Sequence, residues 1–134
     1  MPRIDWSVEF SVNNSEIDNQ HKKWVEIHNK LHEVLLSGNS SEVSKATLTT
    51  IESMKDYVQQ HFAFEEDYMK SIGFPELDKH TQIHRDFEKT IQNYIDEIES
   101  GSLVINTEIL KVLKGWLENH ILYEDKKYAV FGNN

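Results

Sequence analysis

Apolar residues recur along this chain with two different periods. From Ile4 to Val12 they alternate: Ile4, Trp6, Val8, Phe10 and Val12 are separated by Asp5, Ser7, Glu9 and Ser11. A period of two is a strand pattern. No second stretch offers a convincing partner strand, so the expectation is an extended N-terminal arm lying along the rest of the fold. Asn13, Asn14 and Ser15 break the alternation, and from there the period becomes helical.

The first predicted helix starts near Glu16 to Asp18 and runs to about Ser37, with Gly38 as its stop signal. Its inner stripe is His21, Trp24, Ile27 or His28, Leu31 and Leu35. Ser40 or Ser41 caps a second helix, which carries Leu48, Ile51, Met54, Val58, His61, Glu65, Tyr68 and Met69 at helical spacing. Gly73 and Pro75 end it. A third helix begins around Glu76 or Leu77, presents His80, His84, Phe87, Ile91, Tyr94, Ile95 and Ile98, and stops near Gly101. Asn106 or Thr107 caps the fourth, which shows Ile109, Leu110, Leu113, Trp116, Leu117, His120 and Ile121 and runs to about Tyr128. The short connections favour antiparallel neighbours. The predicted fold is all-α, an antiparallel up-down-up-down four-helix bundle with an extended arm, formed by residues 1–134 as one domain.

Composition narrows the function. A chain of 134 residues suits a single core. Two prolines and five glycines leave long helices uninterrupted. The net charge of −9 argues against nucleic acid or an anionic membrane as partner, since both need a basic surface. No apolar run approaches the roughly 20 residues that span a bilayer, and the N-terminus lacks the apolar core of a signal peptide. The expected location is the cytoplasm. With no cysteine, disulfides, iron–sulfur clusters and thiolate zinc sites are excluded. Any metal must be held by His, Asp and Glu.

Seven histidines are present: His21, His28, His32, His61, His80, His84 and His120. A lone histidine on an apolar face is usually an ordinary core or boundary residue. Here every predicted helix has at least one on its inner stripe, and two helices add a second ligand-type group one turn on. His61 and Glu65 point the same way, as do His80 and His84, because positions four apart share a helix face. Imidazoles and carboxylates turned together into an apolar interior ask for a cation between them. His120 leaves a choice: Glu124 stands at i+4, while Asp125 at i+5 lies about 140° round an ideal helix. Asp125 becomes the better candidate only if the last turns loosen into a π-like turn, a distortion found at functional sites.

These residues resemble the hemerythrins, in particular the single-domain bacteriohemerythrins. The resemblance rests on His21 in Asp18-Asn19-Gln20-His21-Lys22, His61-x-x-x-Glu65, His80-x-x-x-His84 and His120-x-x-x-x-Asp125, with the Ile4-Asp5-Trp6 opening. It covers essentially the whole chain and favours Asp125 over Glu124. It implies two iron ions: His80, His84 and His120 would hold one, His21 and His61 the other. Glu65 and Asp125 would bridge both, together with an oxo or hydroxo group. The second iron would keep one position open, where dioxygen would bind and from which it would leave by the same path reversed. Carried over in the same way, Trp24, Phe62, Trp116, Leu117 and Ile121 would line a dry oxygen pocket.

The remaining candidates read as structural. His28 and His32 match none of the family's ligand positions and are expected as partly buried seam residues. Glu66 and Asp67 are expected to point outward with no metal role. Tyr68 and Tyr128 are expected either to orient ligands or simply to pack.

The function the resemblance implies is reversible dioxygen carriage, storage or delivery, the protein being expected to act as a monomer beside an oxygen-consuming enzyme and not as an enzyme itself. Sensing of oxygen, redox state or nitric oxide is the alternative, as is weak peroxide or di-iron redox chemistry. Ferritin-like di-iron oxidases use Glu-x-x-His pairs, and no histidine here has a glutamate three residues before it.

Overall fold

The computed structural model describes residues 3–36, 40–102 and 106–132, with 40–44 described as backbone only. Its helices are α1 (Ser15–Leu36), α2 (Ser40–Ser71), α3 (Leu77–Glu99), α4 (Thr107–Asn119) and α5 (Lys126–Gly132). Between α4 and α5 runs a six-residue π-helical segment, His120–Asp125, so α4, the π segment and α5 follow one another without a break. The described residues contain no strand. The proposed stop at Gly38 lies outside the described residues, as do the capping side chains of Ser40 and Ser41.

Cross-helix contacts fix the directions. On α1 and α2, Gln20 meets His61 while Lys30 and Thr49 line one surface groove, so the numbering runs in opposite senses. Glu66 reaches His84 near one end of the α2–α3 pair and Lys55 reaches Gln92 further along. His80 faces His120, and Phe87 faces Trp116. The bundle is antiparallel, as the short connections require.

Local signals act where the sequence places them. Asn14 Oδ1 accepts from the Ile17 amide at the start of α1. Asn106 Oδ1 accepts from the Glu108 and Ile109 amides at the start of α4, satisfying donors that have no partner inside the helix. Gly73 and Gly101 follow α2 and α3 with φ of 71° and 79°, the left-handed conformation in which an L side chain is strained.

The arm departs from the alternating pattern. Ile4, Phe10 and Val12 are buried as expected, but Val8 is exposed, because Val8–Phe10 forms a 3₁₀ turn that rotates it outward. Side chains of α1 hold the arm in place. Asn29 exchanges two 2.8 Å hydrogen bonds with the Ile4 backbone, and Asp18 accepts from the Ser11 hydroxyl (2.6 Å) and the Val12 amide (2.9 Å). The arm thus closes its backbone hydrogen bonds on side chains, without a partner strand.

Two apolar clusters fill the bundle. The larger includes Trp24, Leu31, Met54, Phe62, Phe87, Leu110 and Leu117. The smaller consists of Val12, Ile17, Met69, Phe74, Tyr128 and Ala129. On every helix the histidines and acids of interest fall between the two: His21 between Ile17 and Trp24, Glu65 between Phe62 and Met69, His80 and His84 between Phe74 and Phe87, Asp125 between Ile121 and Tyr128. Burial of each large apolar side chain contributes about 1.5–3 kcal/mol. The apolar layers above and below therefore hold a polar layer that would not assemble unaided. No helix among the described residues is long and apolar enough to cross a membrane.

Candidate metal centre

The polar layer brings together His21, His61, Glu65, His80, His84, His120 and Asp125, all buried. Ligand-type atoms of Glu65, His80, His84, His120 and Asp125 lie within 4.8 Å of one another, as do those of His21, His61 and Glu65. Both carboxylates reach across this division. Glu65 turns Oε2 to His61 (2.8 Å) and His21 (3.2 Å), and Oε1 to His84 (3.2 Å) and His80 (3.4 Å). Asp125 turns Oδ2 to His21 (3.2 Å), and Oδ1 to His80 (3.0 Å) and His120 (3.1 Å). Each acid offers one oxygen to a group of three histidines and the other to a group of two.

Asp125 reaches this position because the helix is widened. The π segment begins at His120 and ends at Asp125, so the two side chains come to one face at i+5. Glu124, the i+4 residue, is instead half-buried at the surface and accepts from Lys127 Nζ. The segment also breaks the regular run of the fourth predicted helix, and α5 continues to Gly132 rather than ending near Tyr128.

The imidazoles meet through Nε2. His80 and His84 place theirs 3.2 and 3.0 Å from that of His120. A neutral imidazole has one donor and one acceptor nitrogen, so three Nε2 atoms converging on one point cannot all be satisfied by each other. Both Asp125 oxygens, Glu65 Oε1 and His61 Nε2 are buried without hydrogen-bond geometry to any partner. They face one another closely but with poor hydrogen-bond geometry, and charged groups buried without good geometry cost several kcal/mol per charge. A cation for each group removes that cost. Hard carboxylate oxygens mixed with imidazoles suit iron, so the residues present fit the ion.

Protons stand in for the cations in the electrostatics of the protein alone. Burial lowers the imidazole pKa of His21 and His80, but the facing Asp125 and Glu65 carboxylates more than reverse this, and both rise to about 9. His84 also rises: burial opposes the shift, while Glu65 and Glu66 favour it. At His61 burial wins and the pKa falls. Burial would push the two acids up, yet the surrounding imidazoles hold Glu65 and Asp125 well below the usual carboxylate range. The site is built to gather positive charge.

Residues around this layer fall less evenly. Phe62 stacks on His84 (3.8 Å, 4°) and Trp116 on His120 (4.4 Å, 12°), whereas Trp24 lies 5.9 Å from the His61 ring. Leu117 and Ile121 are buried in the same core. Phe87, absent from the predicted pocket, stacks on Trp116 at 3.7 Å and belongs to this aromatic group. Tyr128 is buried against His80, and Tyr68 packs on Tyr128.

Two expectations need correction, and one residue was missed. His28 and His32 are not partly buried but fully so, because the α1 stripe is wide enough to carry both inward. Glu66 does not point freely outward: it is half-buried, and its Oε2 accepts from His84 Nδ1 at 2.8 Å. Gln20 was not singled out, yet its Oε1 accepts from His61 Nδ1 at 2.6 Å. Asp67 is exposed as expected.

A protein-family model, the hemerythrin HHE cation-binding domain, matches residues 12–130. The chain belongs to the hemerythrin family. Among its relatives, the hemerythrin chain is 34% identical to a bacteriohemerythrin of Clostridium acetobutylicum, over 92% of this chain and 96% of that one. It is 30% identical to a bacteriohemerythrin of Methylococcus capsulatus, covering 96% of each. A crystal structure of wild-type hemerythrin superposes with a TM-score of 0.86 at 29% identity, over 98% of both chains. This hemerythrin is accordingly a protein of the di-iron, oxygen-binding type, with a His, Glu and Asp cluster able to hold the metal.

Proposed function

We propose that this hemerythrin binds dioxygen reversibly, as a carrier, store or source for an oxygen-consuming partner, at two irons held by the seven clustered side chains. His80, His84 and His120 would hold one ion and His21 and His61 the other, with Glu65 and Asp125 bridging. The supporting observation is the split orientation of the two carboxylates, each with one oxygen toward either histidine group. A ferrous pair bound there would supply the electrons by which dioxygen is held.

The chain's own residues would do the rest. The group with two imidazoles has one donor fewer, which supports the His21 and His61 side as the place where dioxygen would bind. Trp24, Phe62, Trp116, Leu117 and Ile121 would keep water from the bound gas, so that it leaves as dioxygen and does not react. The five imidazoles and only two carboxylates favour binding over oxidation, because the donor set carries little negative charge to support highly oxidised iron. That balance supports a binding protein over an enzyme.

Stoichiometry tests the reading. Protein loaded with ferrous iron under argon should hold two irons per chain and take up one dioxygen per pair, returning it under vacuum. One iron per chain, or uptake without return, would contradict it.

A further inference from the structure

We propose that Glu66 is a positioning residue that orients His84 toward its iron and strengthens it as a donor, while Gln20 does the neutral equivalent for His61. The inference rests on the ligand assignment above and adds an electrical asymmetry between the two halves of the centre.

The contacts on the two sides differ in charge. His84 Nδ1 donates to Glu66 Oε2 at 2.8 Å, which leaves Nε2 as the acceptor facing Glu65 and the other imidazoles. The second Glu66 oxygen accepts from Arg85 Nη2 at 2.5 Å, and Arg85 also pairs with Glu88. Glu66 is thus clamped on both oxygens, one inside the bundle and one at its surface. On the opposite side, His61 Nδ1 donates to the amide oxygen of Gln20 at 2.6 Å, and the Gln20 backbone carbonyl accepts from the Tyr57 hydroxyl. Both rings are fixed in the same tautomer by a partner on their outer edge.

A carboxylate behind an imidazole raises its basicity more than an amide does. The iron on the His84 side would therefore be held more strongly and favoured in its ferric form. Arg85 tempers the effect by sharing the Glu66 charge. Glu66 is no direct ligand in this arrangement, since one oxygen is taken by His84 Nδ1 and the other by the Arg85 guanidinium at the surface.

The test uses the full, iron-loaded chain with Glu66→Ala, Glu66→Gln and Arg85→Ala, and His84→Ala as the reference for a lost ligand. Two quantities are read: the rate at which a strong chelator strips iron, and the midpoint potential of the centre. Glu66→Ala should release iron about 10–100-fold faster, the usual loss when such a partner is removed. Glu66→Gln keeps an acceptor for His84 and should restore slow release, yet raise the potential because the charge is gone. Arg85→Ala should lower the potential. Wild-type release and potential in Glu66→Ala would overturn the proposal, as would an unchanged potential in Glu66→Gln. If His84→Ala still held two irons, the ligand assignment would be wrong instead.

Discussion

Asp125 lies five residues after His120, yet its Oδ1 is 3.1 Å from His120 Nε2. In a regular helix Glu124 would occupy that place and Asp125 would point elsewhere. The π segment exchanges the two, burying the aspartate and sending the glutamate to Lys127. Asp125→Ala should therefore reduce bound iron from two per chain to one or none. Glu124→Ala should leave it unchanged. Iron analysis after gel filtration separates the cases, and the reverse pattern would mean that the helix is regular here.

His32 gives a contrast between burial and ligation. It is buried, as the seven clustered side chains are, but lies outside their cluster. Its replacement by alanine should cost about 1–3 kcal/mol of stability, the ordinary effect of a core truncation, and leave two irons per chain. Denaturant unfolding of the metal-free protein, paired with iron analysis, checks both halves. Loss of iron without loss of stability would make His32 part of the centre.

Much of this was legible because helical periodicity and ligand spacing report the same faces. His61 with Glu65, and His80 with His84, needed only a period of 3.6. Asp125 was harder, since the i+5 spacing made sense only if a π turn formed. Glu66 escaped notice because it follows Glu65 in sequence and was expected to point outward, and Gln20 because it entered only as the neighbour of His21 in a motif. Their role depends on which neighbouring helix meets their outer edge, a tertiary fact that no single-helix pattern contains. A polar residue adjacent to a ligand histidine or acid was the available signal. Val8 fell the other way: the local 3₁₀ turn overrode a clean alternation.

The shifted pKa values give a pH dependence for the metal-free protein. His21 and His80, raised to about 9, contribute stability that is complete below the unfolded value near 6.5 and disappears as pH rises through 9. Glu65 and Asp125, shifted downward, contribute stability present above the unfolded carboxylate values and lost as pH falls through their folded values. His61, shifted downward, works against stability in acid. Metal-free protein should thus melt at lower temperature at pH 9 than at pH 6.5. Iron should bind more tightly over the same rise and release protons as it binds at neutral pH. A pH-stat titration with ferrous iron measures that release, and no proton release would contradict the charge state assigned to the metal-free protein.

Under the proposed function, Trp24 would separate holding iron from protecting the bound gas. It is buried beside His61 and touches Phe62, Phe87 and Trp116. Trp24→Ala should cost about 3–5 kcal/mol, so Trp24→Phe is the safer variant. With two irons retained, it should oxidise irreversibly about tenfold faster, equivalent to about 1.4 kcal/mol in the barrier. The decay of the oxygenated spectrum in air reads this directly. An unchanged decay would mean that other residues exclude water.

The most direct test of reversible oxygen binding is an optical cycle on purified, iron-loaded protein. The protein is reduced without air, exposed to oxygen and then swept with argon while the visible spectrum is recorded. A charge-transfer band should rise with oxygen, fade under argon and return on a second exposure, with two irons per chain throughout. A spectrum that passes straight to the oxidised form and needs a reductant to recover would contradict reversible binding.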